Sequence, residues 1–188
     1  KKKKERMKNQ NQLKQQIDST QDLHSVVRTM KSLAAVNIHH FERASTSISE
    51  YNKTVELSLQ VLTRHLDKIT EVPETDPEAP YAVFIFGSEQ GMCGQFNEHI
   101  STFSSKRIEE RRGEAVLVSI GDRLLSHIGE LGIHLYRHHP MTSSLSNITN
   151  LVDALIVDIF ELRRQRGLER FYLDYNRETH GAAYEPHE

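Results

Sequence analysis

The first 72 residues contain neither glycine nor proline, so no strong helix breaker interrupts this part of the chain. An apolar stripe runs along the same segment with a mean step of 3.5 residues, which is the repeat of a coiled coil and not the 3.6 of an isolated straight helix. The stripe consists of Val27, Met30, Ala34, Ile38, Phe41, Ala44, Ile48, Tyr51, Val55, Leu59, Leu62, Leu66 and Ile69. We therefore predict a long coiled-coil helix over residues 1–72.

A helix from residue 10 to residue 70 would be about 90 Å long at a rise of about 1.5 Å per residue. That length is several times the diameter of a domain built from the remaining residues, so such a helix needs another helix along its side. The alternative is an ordinary amphipathic helix broken into two or three pieces, but the segment supplies no turn residues to break it.

Glycine and proline appear together after this segment. Three prolines, Pro73, Pro77 and Pro80, lie in an acidic stretch, which predicts a linker over residues 73–80. Residues 81–188 then alternate apolar runs with helical spacing, which predicts a Rossmann-like α/β domain with a mostly parallel, doubly wound sheet. The predicted strands are Tyr81–Phe86, Ala115–Ile120, Ile133–Arg137 and Phe171–Tyr175, and the predicted helices are residues 95–112, residues 122–131 and a long helix that carries Ile148 to Leu162 and stops at Gly167.

Composition excludes several classes of protein, among them those built on membrane-spanning helices or disulfide frameworks. Mean hydropathy is −0.58, and no stretch approaches the roughly 18–20 apolar residues of a membrane-spanning helix. The lysine run at residues 1–4 is followed by polar sequence, so no signal peptide is expected. A single cysteine excludes an intrachain disulfide framework and favours a reducing, cytoplasmic compartment.

Charge is distributed unevenly between the two parts. Residues 1–72 hold 13 Lys and Arg against 8 Asp and Glu, a net charge of +5, while the remaining 116 residues hold 11 against 18, a net charge of −7. The two parts should therefore have different partners. Nucleic acid is not expected, because the positive charge is spread out and Phe41 and Tyr51 are the only aromatic residues of the basic part.

The glycine-rich loop Gly87–Gly94 after the first strand is the most unusual local sequence. A loop in this place cradles phosphate in dinucleotide-binding folds, but the spacing is G-x3-G-x2-G, and Glu89 would put a negative charge beside a phosphate. A tight structural turn is the other interpretation. Cys93 could be a nucleophile at a helix start or a small buried residue. The histidines, including the adjacent pairs His39-His40 and His138-His139, form no metal-ligand frame, and no cofactor is predicted.

Two segments carry a family resemblance. Ile17-Asp18-Ser19 with the run VVRTMKSLAA (residues 26–35) resembles an N-terminal signature, and the loop SEQGMCGQFN (residues 88–97) resembles a second family motif, Ser-Asp-Arg-Gly-Leu-Cys-Gly-x-Leu/Phe-Asn, with Gln90 in place of the arginine. In this order, on a heptad helix and after the first strand, they resemble the gamma subunit of rotary F-type ATP synthases, the central-stalk rotor. The chain looks like a divergent member.

The resemblance implies a non-catalytic subunit that couples ion flow through a membrane ring to ATP synthesis or hydrolysis. Its implied partners are the alpha and beta subunits of the catalytic hexamer, the epsilon subunit and the c-subunit ring, with only indirect membrane contact. It implies a peripheral location at the cytoplasmic face of a bacterial inner membrane. Arg28, Met30 and Lys31 would face the beta subunit. Gly91, Met92, Cys93, Gly94 and Asn97 would belong to a structural loop.

The family usually continues into a second long helix that pairs with the first. The sequence stops at Glu188 before any such helix, so we expect that the C-terminal shaft helix is missing. Two other functions stay open. A coiled-coil dimer with a nucleotide-binding switch domain would bind a nucleotide or flavin near Gly87–Gly94, and an enzyme that uses Cys93 would have a strongly acidic thiol.

Overall fold

The computed structural model describes residues 2–65, 76–129, 132–142, 144–179 and 183–188. Two compact units divide the chain, Lys1–Thr70 and Glu71–Glu188. Leu66 and Ile69 of the predicted stripe and residues 73–75 of the predicted linker lie outside the described residues.

The described part of the first unit is one helix, α1 (Lys2–His65), of 64 residues and therefore about 96 Å. This continuous helix confirms the predicted long N-terminal helix, and its pairing in a coiled coil stays a prediction. Serine and threonine side chains do not interrupt it, because their hydroxyls donate to main-chain carbonyls one turn earlier, as Thr29 does to Ser25 (3.0 Å) and Ser32 does to Arg28 (3.1 Å). Most large residues of the apolar stripe are exposed, from 42% at Met30 to 71% at Tyr51, whereas Phe41, Ala44 and Val55 are half-buried.

The second unit is a five-stranded sheet with helices on both faces. The strands lie in the order β3-β2-β1-β4-β5, with β1 to β4 parallel and β5 antiparallel to β4. The predicted mostly parallel α/β fold is confirmed. In chain order the elements are β1 (Tyr81–Phe86), α2 (Phe96–Glu110), β2 (Ala115–Ile120), a 3₁₀ turn (Asp122–Leu124), α3 (Leu125–Ile128), β3 (Leu135–His139), α4 (Leu145–Arg166), β4 (Arg170–Glu178) and β5 (Tyr184–His187).

Two apolar layers cover the sheet, one on each face. Alternate residues of β1 divide between them, so that Ala82 and Phe84 face α4 while Val83 and Ile85 face α2. Both faces of β1 are therefore buried, which explains its continuous apolar run. α4 ends at Gly167, whose φ of 66° closes the helix with a main-chain N–H donated to Arg163 (3.1 Å).

Several predicted boundaries were wrong. Strand β3 lies at Leu135–His139 and not at Ile133–Arg137, because its last residues are polar and find partners on neighbouring elements. The predicted helix over residues 122–131 is a 3₁₀ turn followed by the four-residue α3, and residues 130 and 131 lie outside the described part. β4 extends to Glu178, and β5 was not predicted at all.

Candidate functional site

The loop after β1 is held to the start of α2 by the side chain of Asn97. The main-chain N–H of Ser88 donates to Asn97 Oδ1 (2.8 Å), and Asn97 Nδ2 donates back to Ser88 Oγ (2.9 Å). Ser88 Oγ in turn donates to the main-chain oxygen of Gln90 (2.9 Å). Asn97 is buried, and burying its amide without hydrogen bonds would be costly. The bonds to Ser88 take the place of the hydrogen bonds that water would otherwise make.

Glu89 ties the same loop to the ends of two other strands. Its Oε2 accepts hydrogen bonds from the main-chain N–H of Asp122 (3.2 Å), just after β2, and of Met141 (2.9 Å), just after β3. These main-chain donors lie at the carboxyl ends of parallel strands, where α/β folds bind anionic ligands. In this chain a carboxylate of the protein itself occupies them, so a phosphate would meet both a filled site and a negative charge.

Two glycines permit the loop to approach its neighbours closely. A Cβ on Gly87 would lie 2.6 Å from the Cβ of Leu124, and a Cβ on Gly121 would lie 2.8 Å from the carbonyl oxygen of Gly87. Gly121 also has φ of +98°, a conformation that side chains disfavour. Of the predicted loop residues, Gly94 has a positive φ of 60°, whereas a Cβ on Gly91 would meet only ordinary contact with Arg123 at 3.9 Å.

Met92 and Cys93 differ in their surroundings. Met92 is 70% exposed with φ of 62°, an unusual conformation for a residue other than glycine. Cys93 is half-buried, and its Sγ lies 3.3 Å from Ser88 Oγ and 3.6 Å from Asn97 Nδ2. Neither neighbour is a base that would activate a thiol, and the contacts are those of a small residue packed inside the loop.

The adjacent histidines of β3 point to opposite faces, as alternation along a strand requires. His138 joins Ser119 and Asp122, with its Nδ1 2.7 Å from Ser119 Oγ and its Nε2 2.9 Å from Asp122 Oδ1. These are the residue types of a hydrolase triad, but Ser119 is completely buried while Asp122 is at the exposed end. The hydroxyl cannot reach a substrate, so the cluster can connect β2 to β3 but cannot supply a nucleophile.

His139 belongs to a charged cluster on the other face. Its Nε2 lies 2.6 Å from Oδ2 of Asp158 on α4, and Asp158, which is completely buried, also pairs with Arg137. Arg137 Nη2 donates to Glu161 Oε2 (3.0 Å), which also accepts from the Tyr136 hydroxyl (3.2 Å). Burial, together with this bond to Glu161, raises the pKa of Tyr136. The sequence analysis missed this cluster, although an aspartate within the apolar run of residues 155–160 was a signal that could have found it.

A second buried acid lies on the opposite face of the sheet. Asp174 of β4 is completely buried, and neither carboxylate oxygen has a hydrogen-bond partner among the described residues. Burial raises the pKa of Asp174, and the hydroxyl of Ser104 and the positive charges of Arg111 and Arg107 oppose the rise. The Ser104 hydroxyl, itself buried and without a partner that meets hydrogen-bond geometry in the described part, lies on α2. Sequence reasoning did not single out either residue.

The residues predicted to contact a partner lie on the surface of α1. Arg28, Met30 and Lys31 are all exposed, and Arg28 and Lys31 are three residues apart, so their charges lie on neighbouring parts of one helix face. Within the described residues no group of three or more His, Cys, Asp or Glu side chains could hold a metal ion. No helix among these described residues is both long enough and apolar enough to cross a membrane.

Comparison with known proteins identifies a family and individual relatives for this chain. A protein-family model described as ATP synthase matches residues 9–188. The chain is 22% identical over 120 residues to the chloroplastic ATP synthase subunit gamma of Zea mays, a match that covers 60% of this chain and 33% of the relative. It is 25% identical over 118 residues to the chloroplastic ATP synthase gamma chain 1 of Arabidopsis thaliana, covering 60% and 32%. The matches thus span about one third of these relatives.

Among solved structures, the chain is similar to one in the central stalk and c-ring of the mitochondrial ATP synthase of Tetrahymena thermophila. The similarity has a TM-score of 0.47 at 20% identity and covers 64% of this chain and 50% of the other.

Proposed function

Because the chain belongs to the ATP synthase gamma-subunit family, we propose that it is a non-catalytic rotor subunit of the central stalk. In this role α1 forms part of a shaft inside the hexamer of alpha and beta subunits. The α/β domain contacts the epsilon subunit and the c-subunit ring. Rotation of the ring and shaft couples ion flow to ATP synthesis or hydrolysis.

One observation carries most of this proposal. The family match covers both α1 and the α/β domain, and α1 is an unbroken helix of 64 residues with an exposed stripe at coiled-coil spacing. A helix of this length cannot bury its stripe against itself and needs a partner helix. A shaft built from two paired helices supplies that partner.

The α/β domain has a structural role in this proposal. The bonds from Asn97 and Glu89 support a loop that shapes the domain, since they fill the places in which related folds bind phosphate. The proposed roles of Gly91, Met92, Cys93, Gly94 and Asn97 are therefore to build this loop, and those of Arg28, Met30 and Lys31 are to face the beta subunit.

We place the protein peripherally at an energy-transducing membrane. The sequence analysis expected the cytoplasmic face of a bacterial inner membrane, and this remains a proposal. Both relatives are chloroplastic proteins. A tagged copy of the full-length protein, expressed in its own cells and purified from detergent-solubilised membranes, tests both the assembly and the membrane.

The expected result is copurification with alpha, beta, epsilon and c subunits in one particle with ATPase activity. Recovery of the chain free of these subunits would contradict the rotor. Titration of the purified full-length protein with ATP, GTP and FMN then separates the rotor from a nucleotide-binding switch. The rotor binds none of them at the α/β domain, whereas saturable binding that is lost on Gly121→Val would favour the switch.

A further inference from the structure

Helix α4 is apolar on its outer face as well as on the face that covers the sheet. Leu155 and Leu162 are buried against the sheet, whereas four large apolar residues in the middle of the same helix face outward. The exposed fractions are 46% for Val152, 44% for Ile156, 50% for Val157 and 65% for Phe160. A contiguous apolar stripe on a solvent-exposed helix face is typical of an interaction surface.

Charged residues lie at both ends of this outer stripe. Asp153 lies at its amino-terminal end, and Arg163 and Arg164 lie at its carboxyl-terminal end, all three exposed and none in an ion pair with another described residue. From Val152 to Arg164 the stripe is about 18 Å long. Beside Phe160 and Val157 the surface forms a depression of about 410 Å³ that Arg163, Arg164 and Glu161 also line, and the Glu161 carboxylate is paired with Arg137.

We propose that the outer stripe of α4 binds an amphipathic helix of another subunit, antiparallel to α4, with acidic side chains opposite Arg163 and Arg164. The length of the stripe fits about twelve residues of helix, and the depression beside Phe160 fits one large apolar side chain. Acidic residues are favoured at helix amino termini and basic residues at carboxyl termini. A partner that places its acidic first turn on the two arginines therefore brings its basic last turn to Asp153.

The charge of each candidate partner and the area of the outer stripe distinguish between the molecules that could bind there. The basic helix α1 of a second copy would meet Arg163 and Arg164 with like charge. A second copy of α4 would match the charges, but one helix stripe offers far less than the roughly 800 Å² per partner that holds a stable free dimer. The stripe suits a contact inside an assembly in which other surfaces also hold the partner. The inference thus rests on the proposed function.

Site-specific photo-crosslinking in the purified assembly tests the inference. The full-length protein carries p-benzoylphenylalanine in place of Phe160, and the matched control carries it in place of Gln165, an exposed residue of the same helix outside the stripe. We expect crosslinks from position 160 at least tenfold above those from 165, in a segment of another subunit that is helical and acidic at the end near Arg164. Crosslinks to the same chain, to a second copy or to a segment with basic residues there would overturn the proposal.

A charge reversal gives an independent measurement. R163E with R164E should lower the crosslink yield from position 160 at least tenfold, while Gln165→Glu, which adds a negative charge outside the stripe, should leave it unchanged. An unchanged yield in the double variant would refute the assigned orientation. If the chain copurifies with the other subunits but position 160 gives no crosslink, the α4 proposal fails and the rotor stands. If the chain does not copurify, the proposed function itself fails.

Discussion

Glu89 and Met141 are 52 residues apart in the chain, yet the carboxylate of Glu89 accepts a hydrogen bond from the main-chain N–H of Met141 at 2.9 Å. The same oxygen accepts from Asp122, so one side chain joins the ends of β1, β2 and β3. Its energetic role can be measured directly.

Glu89→Ala should destabilise the α/β domain by about 1–3 kcal/mol, because two main-chain donors lose their shared acceptor. Glu89→Gln, which keeps an acceptor oxygen, should cost less. Urea unfolding followed by near-ultraviolet circular dichroism measures the change in the domain, since five of the six tyrosines lie in it. Glu109→Ala, at an exposed position of α2, is the matched control. A loss no larger than that of the control would contradict the role of Glu89.

Asp174 should make the stability of the domain depend on pH. Burial raises its pKa in the folded state above the ordinary value of an aspartate. The folded state therefore binds the proton more tightly than the unfolded state. The stabilisation from this group is complete below the unfolded pKa and is lost as pH rises through the folded pKa. At neutral pH the full cost of burying the charge is present.

Asp174→Asn should remove this pH dependence and stabilise the domain at pH 7 by about 1 kcal/mol, because a neutral amide is cheaper to bury than an unpaired carboxylate. The test measures the urea midpoint of Asp174→Asn and of the unmodified protein between pH 4 and pH 8. The difference between the two midpoints at each pH reports on Asp174, because the histidines contribute equally to both proteins. Glu169→Gln, an exposed acid beside the start of β4, should show no such difference. A midpoint that falls for Asp174→Asn at pH 7 would show that the charge is stabilised by Arg111 and Arg107.

Asp158→Asn should destabilise the packing of α4 on β3. The buried carboxylate holds Arg137 and His139, so its loss leaves both without their shared partner. The side chain of Arg137 is 40% exposed, so water can solvate part of its charge once the partner is lost. We therefore expect the free energy of unfolding to fall by about 2 kcal/mol, less than the full loss on breaking a buried ion pair. Asp153→Asn on the outer side of the same helix should change unfolding by less than about 0.5 kcal/mol. Equal effects of the two variants would exclude the cluster as a source of stability.

Met30→Lys should impair coupling in the assembled complex. In the proposed role these residues face the beta subunit, where the family resemblance implies an acidic segment, so an added positive charge beside Arg28 and Lys31 would strengthen the attraction and hinder a sliding contact. ATP-driven ion pumping in vesicles should fall severalfold relative to ATP hydrolysis, and more so at low salt. Met30→Leu keeps an uncharged side chain of similar volume and is the control. Equal pumping-to-hydrolysis ratios in the two variants would remove Met30 from the proposed contact.

The parts of the fold that sequence predicted are those with local signals. Absence of glycine and proline together with the heptad stripe predicted α1, and the apolar runs of β1 and β2 predicted buried parallel strands. β5 was missed because a strand of four residues that contains Pro186 has no local strand signal and forms only by pairing with β4. The predicted range of β3 began and ended two residues too early, because Arg137, His138 and His139 are polar and gave no strand signal.

The contacts of the candidate site were less accessible to sequence reasoning. The pairing of Glu89 with Met141 and of Ser119 with His138 depends on which strands are neighbours, and residue spacing does not encode that order. Asp158 is different, since a lone acid in an apolar helix predicts a buried partner even when that partner is unknown. The motif that carries the resemblance lies in the loop after β1, but the resemblance said nothing of the bonds that close this loop.

The stripe on α1 also has a mechanical consequence. A repeat of 3.5 residues makes two paired helices wind around each other in a left-handed sense, with about 150 Å for a full turn. Over the roughly 53 Å of α1 from Val27 to Leu62 that carries the stripe, the pair would complete about one third of a turn. Torque in one direction tightens this winding and compresses the seam, whereas torque in the other direction opens it. A rod of this kind resists twisting more strongly in one direction of rotation than in the other.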